Sequence, residues 1–170
     1  MQEYFSPVWV TPWTDTRIPK KGGEAFGGDF TFEHRGPART VFVGMGLAPG
    51  STWQWVPPSP GWSHGTPTYF ICQRVEVKED LKDTLYQVYV EGEFPTIVGS
   101  GSGTLDVWKF LSFDAPYGDE KPLQVIHSDW DDDVYSVTGG GTGDIFSAMM
   151  PMMMMFMMMS MVMPMMQGLD

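Results

Sequence analysis

Four groups of residues in this 170-residue chain have types and spacings that could do chemistry. In Asp129-Trp130-Asp131-Asp132-Asp133, the carboxylates of Asp129, Asp131 and Asp133 alternate, and Ca²⁺ takes oxygen ligands of that kind. The run lacks the glycine and closing glutamate of an EF-hand loop, and no helices are expected beside it. A solvated acidic turn is the favoured reading, and Asp119-Glu120 reads as a turn on the same grounds. Trp53, Trp55 and Trp62 share one loop. They could stack on sugars, centre a protein interface, where tryptophan is enriched, or pack within their own domain. Gly139-Gly140-Gly141-Thr142-Gly143 resembles a phosphate cradle in composition, but no lysine follows it and no βαβ unit surrounds it, so it reads as a linker. His34, His64 and His127 are scattered, with no Ser or Cys nucleophile in a recognisable arrangement. Acid pairs are abundant, but sequence cannot set two of them across a cleft. The expectation is a protein that is not an enzyme and uses no cofactor.

Cys72 is the single cysteine, so neither an intramolecular disulfide nor a thiolate metal cluster can form. Within Tyr69-Phe70-Ile71-Cys72 it reads as a small buried hydrophobe. A blue-copper site would need His and Met close after this cysteine, and neither is there.

The elements that must position these residues are strands. Glycine (20) and proline (14) are frequent, aromatics make up 14% and charged residues 18%, which favours a sheet protein with elaborate loops. Residues 1–28 hold Pro7, Pro12 and Pro19 together with Tyr4, Phe5, Trp9, Trp13 and Phe26, which predicts an extended arm that packs, on its own domain or on a neighbouring subunit, rather than a disordered tail. From Asp29 the alternation of Phe30, Phe32 and His34 with Thr31 and Glu33 marks a strand, followed by a second over 40–47 whose glycines suggest a bulge or close approach. These two are expected to form a hairpin. A long loop covers 48–67. Residues 69–77 and 84–94 are expected to pair as another hairpin, with strands over 104–113, 123–128 and 134–138 completing the set. The fold class expected is all-β, a single β-sandwich of jelly-roll-like form over 29–138. An arm (1–28) precedes it, and a glycine linker (139–144) and a methionine-rich apolar helix (145–170) follow.

That last segment departs most from ordinary composition. Thirteen of the fifteen methionines lie between Met149 and Met166, and no charged residue occurs between Asp144 and Asp170. Methionine has good helix propensity, Ser147 is a plausible N-cap, and Pro151 then falls in the first turn. Pro164 ends or kinks the helix. The uninterrupted part, 148–163, would be about 24 Å long. Met149, Met152, Met153, Phe156, Met157, Met159, Val162 and Met163 carry the expected assembly surface. A helix apolar on every side must be buried on every side. Clustered thioethers bind Cu(I), but a contiguous apolar run without histidine is unlike a copper-handling motif. A membrane would also bury it, yet two prolines interrupt it and neither lysine, arginine nor interfacial aromatics flank it.

The net charge of −11 falls unevenly: residues 1–78 hold seven basic and six acidic groups, the remainder three and fifteen. An acidic surface repels phosphates, which argues against a nucleic-acid partner. The N-terminus lacks the basic and apolar regions of a cleaved secretory signal, so synthesis in the cytosol is expected, with the product ending in a virion or other assembled particle. The expectation is a structural subunit that self-assembles through its methionine-rich helix and N-terminal arm, such as a virion, tail or filament accessory protein, partnered by its own copies and other structural proteins. The alternative is a tail-anchored membrane protein with an acidic ligand- or partner-binding β-sandwich.

Overall fold

A computed structural model describes residues 2–11, 17–56, 62–97, 100–138, 154–155 and 157–159. The protein is all-β among these, with strands in two sheets. The first sheet is built on β4 (Ala25–Gly36). Along one side of it runs β8 (Asp80–Glu93); along the other, β1 (Tyr4–Phe5) and β2 (Trp9–Thr11) pair in succession. The second sheet runs β3 (Ile18–Pro19), β10 (Val125–Thr138), β9 (Ser100–Ser112), β5 (Arg39–Pro49), β7 (Thr68–Val77), with β6 (Gln54–Val56) on β9 beyond the end of β5.

Alternation explains the shared interior. In β4 the residues Phe26, Phe30, Phe32 and His34 are buried while their neighbours are half-exposed. In the second sheet Val41, Val43, Met45 and Leu47 of β5, with Leu105, Val107 and Leu111 of β9, join them in one hydrophobic cluster. A period of two turns every second side chain inward, so β4, β5 and β9 supply three or four groups apiece. β9, between β5 and β10, is buried on its other face too: Trp108 and Phe110 stack there with centroids 5.2 Å apart. Phe70 meets both edge-on, and the Lys121 ammonium lies 5.5 Å over the Trp108 ring. Gly46 leaves room for Phe70, since a Cβ at that position would collide with its ring. The bulge expected from the glycines of β5 falls between Gly46 and Leu47 in its pairing with β7.

Three expectations are corrected. The strands over 29–34 and 40–47 do not pair with each other, nor do those over 69–77 and 84–94. Instead β4 pairs with β8 and β5 with β7, so the chain changes sheet at 37–38 and again at 78–79. A turn between two apolar strands reads the same whether it folds them side by side or carries the chain to a facing layer. Here Gly36, at φ +144°, follows a register break at His34 and starts the first corner. The strand start at Asp29 moves to Ala25, because Phe26 is already inward-facing and buried. Finally, 123–128 and 134–138 are not two strands around an acidic turn; both belong to β10, which crosses the acidic run as a bulge.

The described part of the arm is taken up by its own domain. β1 and β2 extend the first sheet, while Arg39 Nε donates to Glu3 Oε1 at 2.8 Å. β3 runs parallel to β10 at the border of the second sheet. Lys20 N donates to Ser136 O at 2.9 Å, so alternate amides face β10 and the ring of Pro19 faces away from it.

Gly46→Ala should drive a methyl group into the Phe70 ring and cost about 1–3 kcal/mol, the usual range for overpacking. Urea denaturation with tryptophan fluorescence, which reports on Trp108, measures it; an unchanged midpoint would mean Phe70 is not held there.

Candidate functional site

The tryptophan loop and the acidic run, 82 residues apart in sequence at Ser51 and Asp133, meet at one place. β5 ends at Pro49, and the chain turns through Gly50-Ser51-Thr52-Trp53 before β6. That turn lies against the bulge of β10, where Asp133 sits at φ +52°. Few residues other than glycine adopt this left-handed backbone, and Asp and Asn tolerate it best. The reason for the distortion is visible in the partners. The Asp133 carboxylate accepts from Ser51 N at 3.0 Å, from Ser51 Oγ at 2.6 Å and from Thr104 Oγ1. Arg17 reaches it at 3.5 Å, and Asp133 N donates to Asp106 Oδ1 at 2.7 Å. A side chain at Gly50 would collide with Asp133, Thr104 and Asp106.

The two carboxylates are pushed apart electrostatically. The hydroxyls of Ser51 and Thr104, with help from Ser51 N and Arg17, hold the Asp133 carboxyl below the ordinary aspartate range. Burial pushes Asp106 up, and the charges of Asp132 and Asp133 add to this. Opposed shifts of this kind also mark acid–base pairs. Here, however, each Asp133 oxygen already accepts from two groups, so the arrangement works as a staple joining the β5–β6 turn to β9 and β10.

Trp53 and Trp62 stack nearly parallel, 12° apart with centroids at 5.8 Å, and both pack against the core cluster. Trp55 pairs through its backbone with Gly101. His64 Nδ1 lies 3.2 Å from the Pro49 carbonyl oxygen and so carries the proton donated to it. The structure thus brings together Trp53, Trp62 and Asp133. It does not bring Asp129 and Asp131 to them: Asp129 Oδ1 accepts from Trp130 N at 2.9 Å, and Asp131 pairs with Lys109 at 2.9 Å. Among the described residues no three Asp, Glu, His or Cys side chains gather as cation ligands. The acidic run is part of β10 rather than a turn: Asp129 and Asp132 are exposed, while Asp133 bonds to protein hydroxyls. Comparison with protein-family models, curated proteins and solved structures finds no match.

Of the expected assembly surface, Met149, Met152, Met153, Phe156, Val162 and Met163 lie outside the described residues. So does the glycine run 139–143. Met157 and Met159 are described and helical, with Met154, Met155 and Met158.

Sequence reasoning missed the partners Ser51, Thr104 and Asp106, which carry no local signal. It also missed a buried polar group at His34, although the inward phase shared with Phe30 and Phe32 marks it. His34 Nδ1 donates to Asp80 Oδ2 at 2.9 Å, which also accepts from the Tyr86 hydroxyl at 2.7 Å. Both bonds hold the Asp80 carboxyl below its ordinary range, His34 more than Tyr86. His34 Nε2 is buried without a hydrogen-bond partner, and the Phe5 ring lies 4.6 Å from the imidazole.

Asp133→Asn keeps a residue that tolerates positive φ while removing the charge. The lowered pKa means the carboxylate's contribution is complete above the unfolded value of about 3.9 and fades as pH falls through the folded value. The variant should therefore lose about 1–3 kcal/mol at pH 7 and progressively less in acid. Denaturant titrations at pH 7 and pH 3 test this; an equal loss at both would assign the effect to shape rather than charge.

Proposed function

We propose that this protein is a non-enzymatic structural subunit that assembles with copies of itself through its methionine-rich segment. The observation that carries the reading is the exposure of Met154, Met155, Met157, Met158 and Met159, each 57–69% accessible in a single chain. Burying a methionine side chain contributes roughly 1.5–3 kcal/mol, so a helical run of them exposed in the isolated chain favours association. Methionine is unbranched and polarizable, and so fills irregular gaps between surfaces that are not perfectly matched. Copies of an uncharged segment gathered about a symmetry axis bury one another without any charge to neutralise.

The rest of the chain is then the body of the subunit. The two sheets contribute to one core cluster, which supports a β-sandwich of jelly-roll-like form. Stapled loops and a stacked tryptophan pair suit a rigid building block. Because β1 and β2 are occupied by their own β4, assembly on this reading depends on the methionine segment more than on the arm. A virion, tail or filament accessory protein is the kind of particle component that such a subunit would make. Among the described residues no helix is long and apolar enough to cross a membrane.

Native mass measurement of the full chain and of a chain ending at Asp144 tests this. The full chain should be a closed oligomer in detergent-free buffer and the shortened chain a folded monomer. A full-length monomer would sink the proposal, as would a full chain that stays in solution only with detergent; the latter outcome marks a membrane anchor.

A further inference from the structure

A cleft of about 480 Å³ opens beside β4 of the first sheet, with Ile18 of β3 and Tyr135 of β10 from the second sheet also in its lining. That volume falls in the range of small-molecule sites. Six residues define its chemistry: Thr11 of β2, Lys20, Gly27 and Asp29 of β4, and Tyr89 and Glu91 of β8. Pairing explains why they converge. Asp29 lies opposite both Thr11 and Tyr89, and Gly27 lies opposite Glu91, so these positions share the outward face across three adjacent strands. Gly27 is at φ +139°, and a Cβ there would collide with the Val90 carbonyl, so the outward row has no side chain at this point. That gap makes the depression.

The cleft holds two carboxylates the protein itself leaves unused. The carboxylates of Asp29 and Glu91 make no hydrogen bond or ion pair among the described residues. The Lys20 ammonium donates to the Ala25 carbonyl at 2.6 Å and pairs with neither carboxylate. Tyr89 is 60% exposed. On the same face, two positions before Thr11 along β2, Trp9 is 51% exposed.

We infer that this cleft binds a neutral carbohydrate, with the ring face of Tyr89 as its platform and Trp9 extending the surface to a neighbouring sugar unit. The choice of ligand follows by elimination. An anion would meet two unneutralised carboxylates, and an organic cation would meet the Lys20 ammonium. An apolar ligand would cover three charges and leave them unpaired. A sugar matches all of it: its C–H face covers an aromatic ring, and each hydroxyl is both donor and acceptor. Asp29 and Glu91 accept from hydroxyls, Lys20 donates, and the Thr11 and Tyr89 hydroxyls do either. Binding here is independent of assembly through the methionine segment.

Ligand-observed NMR on the full chain tests it with three neutral probes: maltotetraose, cellotetraose and tetra-N-acetylchitotetraose. At least one should bind, and Tyr89→Ala should weaken that binding tenfold or more at an unchanged melting temperature. Asp29→Asn should weaken it less, and Trp9→Ala should weaken the tetrasaccharide more than the matching disaccharide. No binding by any of the three would overturn the inference. So would binding that Tyr89→Ala leaves intact, or binding of spermine in place of the sugars, which would mark the cleft as a cation site.

Discussion

The structure depends on one constraint: both sheets must bury their inward faces in a single interior. Phe30 and Phe32 of the first sheet are fully buried, as are Val43, Leu47, Leu105 and Val107 of the second, and all belong to one cluster. Neither sheet alone could hide these groups from water. The corners after Gly36 and Val77 follow from this, since they carry the chain from one layer to the other so that β4–β8 and β5–β7 close over the same space. The first sheet's outward row and the bulge in β10 are positioned by that closure.

Around this core the polar chemistry is arranged as fasteners. Asp133 fixes the β5–β6 turn, Asp80 holds His34 and Tyr86, and Glu3 ties the arm to Arg39. Each joins segments distant in sequence; Asp133 and Asp80 accept from more than one residue, and Glu3 from two nitrogens of one guanidinium. The Asp133 and Asp80 carboxylates are held below the ordinary aspartate range by these bonds, so acid weakens both long-range ties together. A polar interior atom such as His34 Nε2 stands apart from that pattern, for it is buried with no hydrogen-bond partner.

How much of this was legible in the sequence varies with the range of the interaction. Strands were readable wherever one face is apolar: Phe30, Phe32 and His34 announce β4, and 104–113 announces most of β9. The methionine run was legible as composition alone, and five of its residues are helical and exposed. Pairing was not legible, because turn residues encode a change of direction but not which layer receives the chain. The acidic run misled for a related reason. Four aspartates in five residues resemble a solvated turn until Ser51 and Thr104, remote in sequence, supply the hydrogen bonds that keep Asp133 inside a strand. The cleft beside β4 left no signal either, since it depends on Gly27 facing Glu91 across a strand pair.

Pro19 has a further effect. Its neighbours Ile18 and Lys20 direct their amides toward β10, so the imide nitrogen occupies the place from which a donor would point outward from the sheet. A strand approaching that border from another molecule finds no N–H there to begin a ladder. Stacking of chains border to border, the route by which sheet proteins run into fibres, is blocked on that side. At the Pro19 border this sheet offers no donor from which a ladder to another strand could start.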